Sequence, residues 1–329
     1  MKSFQYVSPR SVDSAISLAT DNGRFLAGGI DILGEMKDYI ASPRLLVNVK
    51  EISGLNGIVP PHGARAHMEE NDVWTIGTNV TVAEIEQHPE LKRIFPGLQQ
   101  AAAEVGSPQI RNVATVGGNL AQHSRCWYYR HRDIQCLKRG GSTCYAHDGE
   151  NKYHSLFSGN PCISPVVSNL AIALAALDAK VIVRRGKDEV PLSIADLYAK
   201  AWENPEAHNS LAGGDLILRI QIPDTGRRSA YMQVSEKASF DWALVSCAAA
   251  AKVDGSKLSK VRVVLGAVAP IPWQVQTAHD FLEGKKLDDD VAAQAAEIIL
   301  KDAAPREHNG YKVPIAQALI RRTLKQLVG

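Results

Sequence analysis

The sequence GSPQIRNVATVGGNL occupies residues 106–120 and opens the stretch around which the rest of this chain is organised. The β-branched run at residues 113–116 predicts a short strand. After it, Gly117 and Gly118 lack a Cβ, so the backbone can turn sharply and expose N–H groups to an anion. Taken alone, such a glycine pair is also typical of an ordinary tight turn.

A second element of the same kind, FLAGGIDIL at residues 25–33, changes this interpretation. It is again an apolar run broken by two glycines, and a helix-like pattern follows to about Met36. Two such elements predict two loops that face one pyrophosphate. Neither is Gly-x-Gly-x-x-Gly after a strand, and no Gly-x-x-x-x-Gly-Lys-Ser/Thr stretch occurs, so Rossmann and P-loop sites are not indicated.

Four of the five cysteines follow the second glycine pair, separated by nine, seven and seventeen residues: Cys126, Cys136, Cys144 and Cys162. This spacing is neither a zinc ribbon nor a ferredoxin run. The interval has little periodicity, and a long loop needs a reason to be ordered, which a metal or iron–sulfur centre would supply. Unrelated thiols, disulfides or zinc remain alternatives, although the lack of a signal peptide weakens the case for disulfides. Cys247 falls in an apolar strand and is expected to be inert.

Length and composition bound the class of protein. The 329 residues suffice for two or three domains, and 45% hydrophobic with 22% charged residues is ordinary for a soluble globular protein. A net charge of +2 gives no case for nucleic acid, and no apolar run is as long as a membrane span. Without a signal peptide, a cytoplasmic location is expected, although export together with a partner subunit stays open.

These residues carry a resemblance to a known family. The motifs Ala-Gly-Gly-x-Asp from Ala27, Gln-Ile-Arg-Asn-x-Ala-Thr-x-Gly-Gly-Asn at 109–119 and Ser-Asn-Leu at 168–170 resemble the FAD-binding subunit of molybdenum hydroxylases. That family includes xanthine dehydrogenase, aldehyde oxidoreductase and carbon monoxide dehydrogenase. The cysteine loop is similar to a narrower branch whose flavin subunit also holds a [4Fe–4S] cluster, as in 4-hydroxybenzoyl-CoA reductase and periplasmic aldehyde oxidoreductase. The resemblance covers essentially the whole chain.

The resemblance implies an α+β fold. It implies a two-part FAD-binding domain of the vanillyl-alcohol oxidase type at 1–223, divided into a small α/β part at 1–55 and a larger part at 56–223 with the iron–sulfur loop at 122–165. A C-terminal flavoprotein domain at 224–329 would follow. Its pattern predicts strands at 231–234, 244–253 and 261–268 and then helices at 277–282, 291–301 and 314–327, which gives a three-stranded sheet with helices on one face.

The resemblance also implies the cofactor-binding residues. They comprise Arg24, Leu26, Ala27, Gly28, Gly29, Ile30, Asp31, Ile32, Val105, Ala114, Thr115, Gly117, Gly118, Asn119, Gln122, Ser168, Asn169 and Ile217 for FAD, with Cys126, Cys136, Cys144 and Cys162 for the cluster. Relatives often carry Asp at the position of Asn169 and Lys near Met232 or Gln233. The missing Lys leaves the contact to the polar edge of the flavin ring undefined. Asn169 in place of Asp removes a negative charge, which is expected to shift the flavin potential or its reactivity with oxygen.

Several charged and aromatic residues allow two interpretations. The cysteine loop at 122–165 holds six basic residues that form either a solvated basic loop or charges that offset a cluster: Arg125, Arg130, His131, Arg132, Lys138 and Arg139. Trp127, Tyr128 and Tyr129 would shield the cluster, pack in the core or contact a subunit. His123 and His147 are replacement ligands if a cysteine fails. Lys2 and Glu35 are expected to be surface charges.

No Ser/His/Asp or Cys/His arrangement is present that would support substrate chemistry on this chain. The resemblance implies instead an electron-transfer subunit with FAD and [4Fe–4S]. A large subunit would carry the molybdenum cofactor, a small subunit [2Fe–2S] clusters, and an external donor or acceptor would complete the system. A scaffold subunit that has lost FAD and a stand-alone flavin oxidase are the alternatives. A metal-free, colourless protein would favour the first of these.

Overall fold

The computed structural model describes residues 1–19, 23–61 and 72–329, and these form three sheets with helices packed around them. This mixture confirms the predicted α+β class. The strands of the described residues are β1 (Gln5–Val7), β2 (Gly23–Leu26), β3 (Leu45–Asn48), β4 (Ile58–Val59), β5 (Val73–Gly77), β6 (Lys180–Arg185), β7 (Asp188–Ser193), β8 (Leu216–Pro223), β9 (Arg228–Ser235), β10 (Ala243–Asp254) and β11 (Lys257–Gly266).

Helices connect and cover these strands. They are α1 (Val12–Ala19), α2 (Ile32–Lys37), α3 (Val82–Gln87), α4 (Pro89–Ile94), α5 (Pro96–Ala103), α6 (Pro108–Arg111), α7 (Val116–Leu120), α8 (Trp127–Arg130), α9 (Asn169–Ala176), α10 (Ile194–Glu203), α11 (Gln276–Leu282), α12 (Asp289–Leu300) and α13 (Lys312–Val328). A short 3₁₀ turn at Leu137–Arg139 lies in the cysteine interval.

The N-terminal unit is a small parallel sheet in the order β1-β3-β2. Leu45 on β3 lies opposite Gln5 on one side and Gly23 on the other. Buried Ala15 and Val47 pack against each other beneath the sheet, in a cluster that also takes Leu218 from β8. The N-terminal unit therefore packs against the middle sheet through this shared apolar cluster.

The middle unit is a five-stranded sheet in the order β4-β5-β8-β6-β7, with antiparallel pairing throughout. Helix α9 is buried along its whole length, which suits a segment that is apolar on every face. Thr81 begins α3 with a capping box, since its side chain accepts from the Glu84 N–H while the Glu84 carboxylate accepts from the Thr81 N–H.

The C-terminal unit is the antiparallel sheet β11-β10-β9 covered on one face by α11–α13, as the sequence predicted. Strand β10 is buried on both faces, and its successive side chains point alternately into two different cores. Cys247 and Ala249 pack with the C-terminal helices, whereas Ala248 and Ala250 pack with α9 of the middle unit. The inert burial expected of Cys247 agrees with its full burial in this strand.

The strand predicted at residues 113–116 is wrong. Thr115 makes one isolated bridge with Thr81, and its side chain then accepts a hydrogen bond from the Gly118 N–H and begins helix α7. The β-branched residues favoured a strand, but the threonine acts as a helix cap, a role that propensity alone does not show. Among the described helices, none combines the length and apolar character that crossing a bilayer requires.

Candidate flavin cleft and thiol cavity

A cleft of about 500 Å³ lies where the three units meet. Both glycine pairs line it, together with the segment after β5, the start of β8 and the loop between β9 and β10. Sixteen of the eighteen residues predicted to bind cofactor line this cleft; Leu26 and Ser168 do not. Ser168 is buried, begins α9 and donates to Asn119 Oδ1 at 2.6 Å, so it supports a cleft residue from behind.

The first glycine pair is pressed against the segment that precedes α7. A Cβ on Gly28 would lie 2.2 Å from the Val113 carbonyl oxygen, closer than any side chain can approach. Gly29 has φ +76°, in the left-handed region that favours glycine. The first glycine loop and the segment at residues 113–114 therefore form one wall, and their contact requires glycine at position 28.

The second pair divides its roles between its two members. A Cβ on Gly117 would lie 1.8 Å from Thr78 Oγ1, so this glycine permits close packing of α7 on the middle sheet. Gly118 is exposed in the cleft, and a Cβ there would meet only Thr115 Oγ1 at 3.2 Å and Ala27 Cβ at 3.7 Å. A side chain at position 118 would thus reduce the space in the cleft without breaking the fold.

Asn79 lies in the floor of the cleft and was not predicted from the sequence. Its Nδ2 donates to the Val49 carbonyl at 2.7 Å, and the residue is 3% exposed. Its Oδ1 is buried and has no hydrogen-bond partner among the described residues. Such an acceptor costs free energy unless a bound molecule donates to it. The signal available in the sequence was only an asparagine two residues after β5.

The opposite end of the cleft is apolar and carries neutral amides. Ile217 and Val105 line it, and Asn169 Nδ2 donates to Gln233 Oε1 at 3.1 Å and to the Glu104 carbonyl at 3.3 Å. Exposed Phe240 and Trp242 stand at the rim. This end can accommodate a flat aromatic ring.

Glu35 is not a surface charge, so that expectation is wrong. Its residue is 1% exposed, and its carboxylate accepts from Tyr129 Oη at 2.7 Å and pairs with His123 Nδ1 at 2.9 Å. Burial raises the pKa of a carboxyl, but the contacts with His123 and Tyr129 and the charge of Arg130 outweigh it, and the pKa of Glu35 falls to about 2. The helical pattern of residues 30–36 could not reveal partners some ninety residues away.

Asp31 takes part in the same network. It precedes α2 but makes no capping hydrogen bond; its carboxylate instead accepts from the His123 N–H at 2.7 Å and pairs with Arg130 at 2.5 Å and Arg125 at 3.1 Å. Oxygen and nitrogen atoms of Asp31, Glu35 and His123 also lie within 4.8 Å of one another. Because guanidinium groups already neutralise these carboxylates, we assign the cluster to ion pairing rather than to a metal. His123 is thereby engaged in this network.

The four loop cysteines line one small cavity. Tyr128, Tyr129, Tyr145, Lys138 and His154 complete it. All four thiols are free, and no three of their Sγ atoms lie within 4.8 Å of one another. Cys126 Sγ is 3.2 Å from His154 Nε2. A hydrogen bond between Cys144 and Cys162 lowers the pKa of Cys144 to about 5 and raises that of Cys162.

The basic residues of the interval are mostly not solvated. Lys138 is buried in the thiol cavity, where its Nζ donates to the Ala207 carbonyl at 2.8 Å and burial lowers its pKa. Arg139 donates to the carbonyls of residues 131, 132 and 134. Arg132, in contrast, is 62% exposed and pairs with the neighbouring Asp133. His147 Nε2 contacts the Pro161 carbonyl at 2.7 Å.

Comparison with known proteins adds to this geometry. The model of the FAD-binding domain in molybdopterin dehydrogenase matches residues 2–225, and that of the CO dehydrogenase flavoprotein C-terminal domain matches residues 229–327. The aldehyde oxidoreductase FAD-binding subunit PaoB of Escherichia coli K12 is 31% identical over 99% of this chain and 98% of its own length. The carbon monoxide dehydrogenase medium chain of Hydrogenophaga pseudoflava is 24% identical over 98% and 96%. Reconstituted CO dehydrogenase from Oligotropha carboxidovorans shares the fold, with TM-score 0.76 at 23% identity over 99% and 98%.

Proposed function

The chain belongs to the family of FAD-binding medium subunits of molybdenum hydroxylases, and from this premise we propose that its cleft holds FAD and that the chain transfers electrons within a multi-subunit oxidoreductase. The observation that carries the proposal is that both glycine pairs, one in the loop after β2 and one in helix α7, line the same cleft. Bound FAD would supply a carrier able to take up two electrons and release them one at a time.

The residues present fit such a dinucleotide. The glycine wall around Gly28 and Gly118 lets backbone approach a pyrophosphate, and the unpartnered Asn79 Oδ1 would accept from a hydroxyl or amino group of the ligand. The apolar end near Ile217 would hold the ring. Two residues act indirectly in this proposal. Ser168 positions Asn119, and Leu26 lies in β2 beside the first loop.

We further propose that the four cysteines bind one [4Fe–4S] cluster. Four thiolates on one metal ion would be close together, since zinc–sulfur bonds of about 2.3 Å put the sulfurs about 3.8 Å apart. Here no three of the four Sγ atoms meet within 4.8 Å, although Cys144 and Cys162 share a hydrogen bond, so the four thiols are not gathered around the position of one ion. Reduced protein prepared without oxygen should give a low-temperature EPR signal; a zinc site would give none.

We propose that the partners are a large subunit with the molybdenum cofactor and a small subunit with [2Fe–2S] clusters, and that an external donor or acceptor exchanges electrons with this chain. The name "medium chain" of the related CO dehydrogenase supports such an assembly. Substrate chemistry would occur on the large subunit. A purified single chain that oxidises an aldehyde or purine unaided would contradict this proposal.

A single glycine variant tests the flavin site. Gly118→Val places methyl groups in the cleft while its Cβ meets no backbone, so the protein should fold yet lose stoichiometric FAD. Gly310→Val is the matched control, because a Cβ there meets only Pro305 at 4.0 Å, far from the cleft-lining segments. Flavin per chain after gel filtration is the measurement. Full retention of FAD in Gly118→Val would remove the assignment.

A further inference from the structure

Arg125 lies between the two cavities. It precedes Cys126, which lines the thiol cavity, and it also lines the flavin cleft. Its guanidinium pairs with Asp31 at 3.1 Å and lies over the ring of Trp242, 5.0 Å from the centroid. Two elements of different units thus hold this side chain in place at the cleft.

One nitrogen of this guanidinium is left without a partner. Arg125 Nε is buried, and no hydrogen-bond acceptor contacts it in the part of the chain that the structure describes. A buried donor on a charged group costs considerable free energy when it is unpaired. Its position in the cleft lining indicates that a bound ligand supplies the missing acceptor.

The charge balance of the cleft supports the same conclusion. Among the described residues that line it, Arg24 and Arg125 are the Lys or Arg side chains, whereas its acidic residues are Asp31, Glu35, Glu104, Asp215 and Asp241. A flavin dinucleotide brings two phosphate charges, and it gains further negative charge on the ring when reduced. Asp31 and Glu35 both pair with the Arg130 guanidinium, at 2.5 and 3.7 Å. Arg125 is therefore available to a ligand despite its pairing with Asp31.

We propose that Arg125 is a binding residue for the flavin dinucleotide, and that its guanidinium holds an anionic oxygen of that ligand from the side of the cysteine loop. This inference rests on the proposed FAD site. The planar guanidinium lies over the Trp242 ring, and in this position it can donate to an oxygen of a phosphate or of the flavin ring. The cysteine interval thus contributes to the flavin site as well as to the thiol cavity.

The test compares Arg125→Gln with Arg132→Gln, an equal charge change at an exposed position of the same loop. The full chain is titrated with FAD, and flavin fluorescence gives the dissociation constant. We expect Arg125→Gln to bind oxidised FAD about 10- to 100-fold more weakly, as loss of a charged hydrogen bond predicts. Arg132→Gln should stay within about twofold of the wild type, since its charge is screened by solvent.

The redox state of the ligand identifies the oxygen. Midpoint potentials of bound and free FAD give the affinity of the reduced form. An equal loss for both redox states places the guanidinium on the pyrophosphate, and a larger loss for reduced FAD places it on the ring. Either pattern supports the proposal. A second measurement separates charge from a merely structural role: the FAD affinity of the wild type should fall with ionic strength more steeply than that of Arg125→Gln, because salt screens the contact between the guanidinium and the anion. If the side chain had only a structural role, both proteins would show the same salt dependence.

Two results would overturn the proposal. One is FAD affinity of Arg125→Gln within about twofold of the wild type, and the other is an equal loss in Arg132→Gln. If Arg125→Gln does not fold, Arg125→Met carries the test, because it keeps an unbranched stem but has no charge and no donor; FAD affinity within about twofold of the wild type in it would refute the contact. Wild-type protein that binds no FAD would refute the proposed function instead, so the two failures are distinguishable.

Discussion

The flavin cleft and the thiol cavity lie side by side but are built by different means. The cleft is formed largely by backbone, in short turns between regular elements where glycine permits close approach, as at Gly28 against Val113. The cavity is formed by side chains of an interval whose described regular structure is α8 and one 3₁₀ turn. The difference teaches that the first site can exist before its ligand binds, whereas the second depends on what its thiols hold.

The largest expected effect is the loss of one proposed cluster ligand, because the thiol cavity depends on what its cysteines bind. Cys136→Ser should remove the cluster and unfold residues 126–162 locally, while FAD still binds the preformed cleft, although more weakly because Arg125 loses its support. Iron content measures the loss of the cluster, limited proteolysis measures the unfolding of the loop, and flavin per chain measures the retention of FAD. Cys247→Ala is the control, since that thiol is buried in β10 of the C-terminal unit. Unchanged iron in Cys136→Ser would show that this thiol is not a ligand.

The second prediction concerns Glu35, whose network lies between the flavin cleft and the thiol cavity. Glu35→Gln removes the buried carboxylate that holds His123, Tyr129 and Arg130, and should destabilise the protein by about 2–4 kcal/mol at neutral pH. Urea unfolding gives the free energy. Glu297→Gln, at an exposed position of α12, should change it by less than about 0.5 kcal/mol. Equal stability of the two variants would contradict the role of this network.

The same carboxylate predicts a pH dependence. Its pKa is about 2 in the folded chain and 4.5 ordinarily, so its stabilisation is present above pH 4.5 and is lost as pH falls toward 2. This amounts to about 3 kcal/mol. Between pH 5 and pH 3 the wild type should therefore lose more stability than Glu35→Gln. Parallel curves for both proteins would refute the shifted pKa.

The smallest effect concerns the apolar end of the cleft. Asn169→Asp replaces a donor with an acceptor opposite the Glu104 carbonyl and Gln233 Oε1, and should cost about 1–3 kcal/mol of stability. The new negative charge should also lower the flavin midpoint potential. Asn169→Ala removes the same hydrogen bonds without adding charge. If both variants give one potential, charge at this position does not tune the flavin.

The resemblance to the family supplied the α+β class, and local patterns were enough to predict the C-terminal sheet with its helices and the first glycine loop. They predicted a second loop at Gly117 and Gly118, which lie instead in helix α7. They failed where a side chain hydrogen-bonds to the nearby backbone, as at Thr115, which accepts from the Gly118 N–H and begins α7 instead of continuing a strand. They also failed where partners are distant in sequence. The contacts of Glu35 and Asp31 join residues about ninety positions apart, and only the folded chain brings them together.

Arg125 and Asn79 were missed for a related reason. In the sequence Arg125 is one of several basic residues of a loop, and nothing local separates it from exposed Arg132. What distinguishes it is an unpartnered nitrogen at the cleft, which depends on three-dimensional packing. Asn79 likewise differs from other polar residues that follow a strand only in its buried, unpartnered Oδ1, which the sequence does not show.

The central claim is that one chain holds both FAD and a [4Fe–4S] cluster in these adjoining cavities. Flavin, iron and acid-labile sulfide should be measured on one sample of the full chain prepared without oxygen. The account predicts one FAD with about four irons and about four sulfides per chain. Stoichiometric zinc without sulfide would contradict the cluster, and a sample that lacks flavin and cannot be reconstituted with FAD would contradict the cleft.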